Sequence, residues 1–118
     1  MHRESYLVTE QSAEEINRAR ERGGRVIAVG TTVVRVLESA ATSDGRVKAE
    51  RGDTALFITP GHVFRAVDAM VTNFHLPRST LLVLIASWLG GEKWRTVYAE
   101  AIGRGFRFYS YGDAMLAW

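Results

Sequence analysis

The stretch RVIAVGTTVVRVLESAA, residues 25–41, restricts the fold more than any other part of the chain. Residues 25–29 form a short run dominated by apolar and β-branched side chains, the pattern of a buried strand. Gly30 ends that run, and from Thr31 or Thr32 onward the period becomes helical. At about 100° per residue, Val33, Val34, Val36, Leu37, Ala40 and Ala41 share one arc. Thr31, Arg35, Glu38, Ser39 and Thr42 share the opposite arc. A strand that passes through one glycine into a two-faced helix requires a sheet with helices packed on it.

The same alternation runs along the rest of the chain. Residues 5–8 fit a strand. Ser12, with Glu15 three positions on, has the capping-box pattern of a helix start. Ala13, Ile16 and Ala19 give that helix a narrow apolar stripe, and Gly23-Gly24 ends it. Residues 42–45 (TSDG) are loop. Residues 47–50 and 54–58 read as two strands joined by a turn at Arg51-Gly52-Asp53. That tripeptide occurs in adhesion ligands, but turn chemistry accounts for it here. Pro60-Gly61 is a further turn. Residues 67–71 fit a strand, 79–89 a helix, Gly90-Gly91 a break and 92–102 another helix, with Trp94, Val97, Tyr98, Ala101 and Ile102 on one face. Residues 106–109 and 114–118 read as strands around Gly112. The order β-α-β-α-β-β-β-α-α-β specifies an α/β fold, a layered sheet with flanking helices, in a single domain over residues 1–118.

Composition narrows the function classes. The chain is 47% apolar and 24% charged, enough to build a core. Fifteen basic residues against thirteen acidic ones give +2, a mild lean towards anionic partners and no nucleic-acid footprint in itself. With no cysteine there is no disulfide or thiol chemistry, which fits a reducing cytoplasm. His2, His62 and His75 lie far apart and show no metal-ligand spacing. The longest apolar run, residues 81–86, is far below the roughly 20 residues of a membrane span, and the charged start is not a signal peptide.

Polar residues gather where apolar elements begin or end. At the Gly30 corner, the free amides of a helix start and the hydroxyls of Thr31 and Thr32 suit an anion or carboxylate. On the same helix, Arg35 and Glu38 either pair at the surface, a contribution of about 0.2–0.5 kcal/mol, or face a ligand. In VTNFHLPRSTLLVL, Thr72, Asn73 and His75 precede Pro77 and an apolar helix that Ser79 or Thr80 caps. Pro77 holds Leu76 extended, so the chain bends there. Asn73 and His75 either brace that bend or act on a ligand, with His75 suited to proton transfer near neutrality. Near the C-terminus, Tyr109, Tyr111 and Asp113 surround Gly112, as turn residues or as a carboxylate and stacking rings. In MHRE, His2 and Glu4 share a face if the segment is extended.

Taken together, MHRE (1–4), GGRVIAVGTT (23–32), LES (37–39), TNFHLPRSTLL (72–82) and FYSYGDAML (108–116) resemble one family across essentially the whole chain. That family is the S-adenosylmethionine:tRNA ribosyltransferase-isomerases of queuosine biosynthesis. This chain departs from the family pattern at Val33, where serine is usual, and at His62, where an aromatic is usual, so His62 receives no role. Family members are considerably longer, and the resemblance identifies this chain as their C-terminal part, from an α/β barrel-like domain. It implies transfer and isomerisation of the ribosyl moiety of S-adenosylmethionine onto 7-aminomethyl-7-deazaguanine at the tRNA wobble position. The product is epoxyqueuosine, and adenine and methionine are released. S-adenosylmethionine is then a consumed substrate, and no other cofactor or metal is expected. The implied catalytic residues are His75, Asn73 and Glu38. The implied substrate-binding residues are Thr31, Thr32, Arg35, Ser39, Thr72, Asp113, Tyr111 and His2. The expected partners are tRNA and either the missing N-terminal part or a second copy through self-association, in the cytoplasm and with no membrane. The alternatives are a non-catalytic truncated module that binds RNA or a partner chain, and a nucleotide binder built on the Gly30 turn.

Overall fold

The computed structural model describes residues 3–56, 58–73, 80–90, 93–105 and 114–117. In chain order the elements are β1 (Glu4–Val8), α1 (Glu10–Glu21), β2 (Ile27–Val29), α2 (Thr31–Ala40), β3 (Glu50–Thr54), β4 (Ala69–Asn73), α3 (Thr80–Leu89), α4 (Lys93–Gly103) and β5 (Ala114–Ala117). They form two small sheets. β1 and β3 pair antiparallel, and a second sheet has the order β2-β4-β5 with β2 parallel and β5 antiparallel to β4. The α/β class expected from the sequence is the one observed. No helix among the described residues is long and apolar enough to cross a membrane.

α1 begins two residues before the expected cap. Thr9 follows β1 directly, is extended, and its hydroxyl oxygen accepts from the amide of Ser12 at 3.0 Å. Ser12 therefore sits inside the first turn, and Thr9 is the cap. The end of α1 is as expected. Gly23, at φ 81°, donates to Arg20 O at 3.0 Å, and Gly24 donates to Ala19 O at 2.9 Å, the Schellman arrangement. A Cβ on Gly24 would stand 2.9 Å from that same Ala19 oxygen. Gly24→Ala is therefore expected to cost about 1–3 kcal/mol by overpacking against backbone. Gly103→Ala, in open space at the end of α4, should be neutral or slightly stabilising. Paired denaturant titrations of the two variants check this.

The expected hairpin around Arg51-Gly52-Asp53 is absent. Those residues lie inside β3, opposite Leu7, Tyr6 and Ser5 of β1. Cross-strand chemistry overrides the local turn signal. Ser5 Oγ donates to Asp53 Oδ1 at 2.8 Å, and Tyr6 lies within 3.4 Å of where a Gly52 side chain would begin, shielding the glycine backbone. Tyr6 also donates its phenol to Glu50 Oε2 at 3.0 Å. Its partial burial first, and then this carboxylate, push the phenol above its ordinary pKa. Residues 47–49 are not a strand; Val47 makes a single bridge to Ala41. Of the expected strand 54–58, Thr54 is the last residue of β3, Ala55, Leu56 and Ile58 are not strand, and Phe57 lies outside the described residues.

The core gathers Val8, Ala28, Val34, Leu37, Ala40, Ile58, Met70, Leu84, Ile85 and Tyr98 from both sheets and all four helices, with Ala13 from α1. Two expectations about burial change. β2 is not buried on both faces: Ala28 is enclosed, whereas Ile27 and Val29 are exposed. On α4, Tyr98 and Ala101 are buried but Ile102 is exposed. α3 supplies two fully enclosed residues, Leu84 and Ile85, and its remaining described side chains are half-buried. The expected strand at 106–109 and the bend at Leu76-Pro77 lie outside the described residues.

Candidate functional site

The parallel ladder fixes what meets at the Gly30 corner. Ile27, Ala28 and Val29 lie opposite Ala69, Met70 and Val71. Gly30 then leaves β2 at φ 99°, with its amide donating to Val71 O at 2.8 Å. That conformation suits glycine. It turns the chain directly into α2, whose start no side chain caps. Thr31 and Thr32 therefore open α2 beside the carboxyl end of β4, where Thr72 and Asn73 lie. Ligands of α/β sheets bind at such strand ends. Thr72 is buried and faces Met115, and Asn73 is exposed and faces Ala114. Asn73 and Ala114 thus lie directly across the ladder from each other. His75 is two residues beyond the first of this pair, and Asp113 is one residue before the second. His2, His75, Tyr111 and Asp113 themselves lie outside the described residues.

The polar arc of α2 behaves differently from either sequence expectation. Arg35 is almost wholly buried. Its Nε donates to Leu56 O at 3.1 Å and its Nη2 to Thr54 O at 3.4 Å, while Nη1 stands 3.5 Å from Glu4 Oε1. One turn on, the hydroxyls of Ser39 and Thr54 are 2.6 Å apart. Arg35 and Ser39 together grip the end of β3. Glu38 grips a second segment. Its side chain is 1% exposed. Oε1 accepts from the amide of Arg65 at 2.9 Å and lies 3.0 Å from His62 Nε2; Oε2 accepts from the amides of Ala66 at 2.8 Å and Val67 at 3.2 Å. The surface Arg35–Glu38 pair does not form, because each side chain is taken up by groups far along the chain.

Glu38 holds one side of the segment that leads into β4, and Arg20 holds the other. Arg20 Nη1 donates to Gly45 O at 2.8 Å and Arg65 O at 2.5 Å. Its Nη2 lies 3.3 Å from Asp68 Oδ1, and Asp68 Oδ2 accepts from the amide of Val26 at 2.8 Å. His62 stacks edge-on against Phe64, and Phe64 against Trp88, each at 4.7 Å between ring centroids. Sequence reasoning gave no role to Arg20, Asp68, Thr54 or His62. Their partners are 15 to 48 positions away, and no local pattern announces them.

The structure therefore brings Thr31, Thr32, Thr72 and Asn73 to the carboxyl end of the β2–β4 pair, while Arg35 and Ser39 hold the end of β3 and Glu38 holds the segment before β4. Three grooves on the described surface lie away from that end. One runs along Ser5–Leu7 and Arg51–Asp53, and two flank α1 beside residues 42–49. None of the predicted site residues lines these three. No group of three or more metal-ligating side chains occurs among the described residues.

Known proteins match the chain over nearly its whole length. The family model described as queuosine biosynthesis protein matches residues 1–117. The S-adenosylmethionine:tRNA ribosyltransferase-isomerases of Nitrobacter winogradskyi and Afipia carboxidovorans are each 58% identical over 116 residues, 98% of this chain and 32% of theirs. That of Moorella thermoacetica is 57% identical, with 34% of its length covered. A solved S-adenosylmethionine tRNA ribosyltransferase from Thermotoga maritima superposes with a TM-score of 0.83 at 46% identity, covering 95% of this chain and 39% of that one. The chain spans about a third of the length of the curated relatives it matches.

Proposed function

The chain belongs to the queuosine biosynthesis protein family, and from that premise we propose that it is the carboxyl-terminal portion of a cytoplasmic S-adenosylmethionine:tRNA ribosyltransferase-isomerase. The observation that carries this is the unbroken match over residues 1–117. In this reading the completed enzyme transfers the ribosyl moiety of S-adenosylmethionine to 7-aminomethyl-7-deazaguanine in tRNA, isomerises it to the epoxycyclopentanediol, and releases adenine and methionine. S-adenosylmethionine is consumed, and no other cofactor takes part. The remainder of the family's chain, or a second copy of this chain, is the protein partner that the activity requires.

The chemistry needs a proton removed near the sulfonium carbon, a proton delivered to departing adenine, and contacts to a ribose and a carboxylate. The sheet end at Gly30 and Asn73 supports placing it there. Thr31 and Thr32 offer hydroxyls beside uncapped amides, suited to a carboxylate. Asn73 and His75 flank the ribose, with His75 the leading acid or base, and Thr72, buried on the core face, supports Asn73 from within the strand. Asp113, Tyr111 and His2 complete substrate binding. Glu38 moves from acid–base chemistry to positioning, because four donors already hold its carboxylate. Arg35 and Ser39 likewise fix the end of β3.

The test combines this chain with the remaining portion of a relative, S-adenosylmethionine and substrate tRNA, and measures released adenine. Release matched by tRNA modification is expected, and His75→Ala should slow it by about 10²-fold or more. A folded, completed enzyme that releases no adenine would overturn the proposal.

A further inference from the structure

The three-stranded sheet has one face on the core and an opposite face that is only partly covered, with Ala69 buried and Val71 half-buried there. Ala28, Met70, Thr72 and Ala117 point inward and are buried. Alternation along each strand puts Ile27, Val29, Val71 and Leu116 on the other face. The register aligns Val29, Val71 and Leu116 side by side across all three strands. Ile27, Val29 and Leu116 are 52%, 67% and 51% exposed. Sheets with a wet face carry polar residues there, and parallel pairs such as β2 and β4 are ordinarily covered on both faces. Exposed Ile27, Val29 and Leu116 around a half-buried Val71 make an aliphatic patch that marks a surface to be covered.

We propose that this face is the seat of the portion of the family's polypeptide that the chain does not span, packed on β2-β4-β5 as a second layer. The inference rests on the reading that the rest of the family's chain completes the enzyme, and it adds where that portion docks. Two observations select this occupant. The relatives carry about two thirds of their length outside the matched stretch, while the matched stretch superposes on a solved relative over 95% of this chain. The strand sequences IAV, AMVTN and AMLA contain no charged residue, so the face offers nothing to a nucleic-acid backbone, whose binding relies on lysine and arginine.

The test mixes the 118-residue chain with the separately produced remaining portion of the Nitrobacter winogradskyi relative. Light scattering after gel filtration reads stoichiometry, and hydrogen exchange reads protection. A one-to-one heterocomplex with slowed exchange in β2 and β5 is expected. Val29→Asp and Leu116→Asp should each weaken it tenfold or more. Ile102→Asp, at an apolar residue 65% exposed on α4, should leave it unchanged. Circular dichroism confirms that each variant is folded, and the exchange pattern of the unsubstituted chain stands without them. Absence of a complex, protection confined to other surfaces, insensitivity to both sheet substitutions, or pairing of two copies through this face would each overturn the proposal. Adenine release is measured separately: a complex that forms through the sheet but releases no adenine counts against the enzymatic reading alone.

Discussion

Replacing Glu38 by alanine is expected to lower the unfolding free energy by about 3–5 kcal/mol. The carboxylate is buried and accepts from three consecutive backbone amides, at Arg65, Ala66 and Val67, beside the His62 ring. Hydrogen bonds to a charged group contribute about 1.5–3 kcal/mol each, and a buried donor left without a partner costs about 1–3 kcal/mol. These terms overlap, so their sum is not the expectation. Glu38→Gln should be intermediate, since its carbonyl can still accept but its amide opposes backbone N–H groups. Glu14→Ala, an exposed carboxylate in a one-turn pair with Arg18, should change stability by less than about 1 kcal/mol. Denaturant titration gives the ranking, and hydrogen exchange at residues 65–67 should accelerate in the alanine variant. If Glu38→Gln melted like the unsubstituted chain while abolishing turnover of the completed enzyme, Glu38 would be a proton-transfer group and the positioning role would fall.

Arg35→Ala is expected to cost about 2–4 kcal/mol. It strips donors from the carbonyls of Thr54 and Leu56 and empties the space of a side chain that is 3% exposed. The ion pair with Glu4 is a minor part, because Glu4 is 37% exposed and the closest approach is 3.5 Å. Glu4→Gln should accordingly cost under about 1 kcal/mol. Arg35→Lys should recover only part of the loss, since an ammonium cannot reproduce the planar fork that reaches two carbonyls. Thermal melts of the three variants check the order. A loss for Glu4→Gln equal to that for Arg35→Ala would mean that the charge, and not the carbonyl contacts, is what matters.

Local signals in the sequence carried the elements that depend on local chemistry. The change of period at Gly30, the TSDG loop, the Pro60-Gly61 turn and the glycine-bounded helices α3 and α4 were legible to within a residue or two. The Arg51-Gly52-Asp53 segment was not, because its strand state depends on β1, 44 to 48 positions away at Tyr6–Glu50 and Ser5–Asp53. Periodicity placed Val34, Leu37 and Ala40 correctly on the buried face of α2, but Val33 on the same arc is exposed and Arg35 on the polar arc is buried. It could not tell that the polar face is covered, since what covers it is mostly main chain from residues 54–56 and 65–67, and main chain has no sequence signature. For the candidate site, the meeting of Thr31 and Thr32 with Thr72 and Asn73 follows from the parallel pairing of β2 and β4. The motifs alone supplied the resemblance, but only the ladder supplies that proximity.

That ladder also has a kinetic consequence. Val26 and Asp68, whose contact opens the β2–β4 pairing, are 42 positions apart, so the central sheet forms only by closing a long loop. Loop closure costs entropy before the contacts it permits return any of it, and chains dominated by distant pairings fold slowly for their size. The rate at which this chain reaches its native state is therefore set by strand encounter, and strengthening the caps or propensities of individual helices should hardly accelerate it.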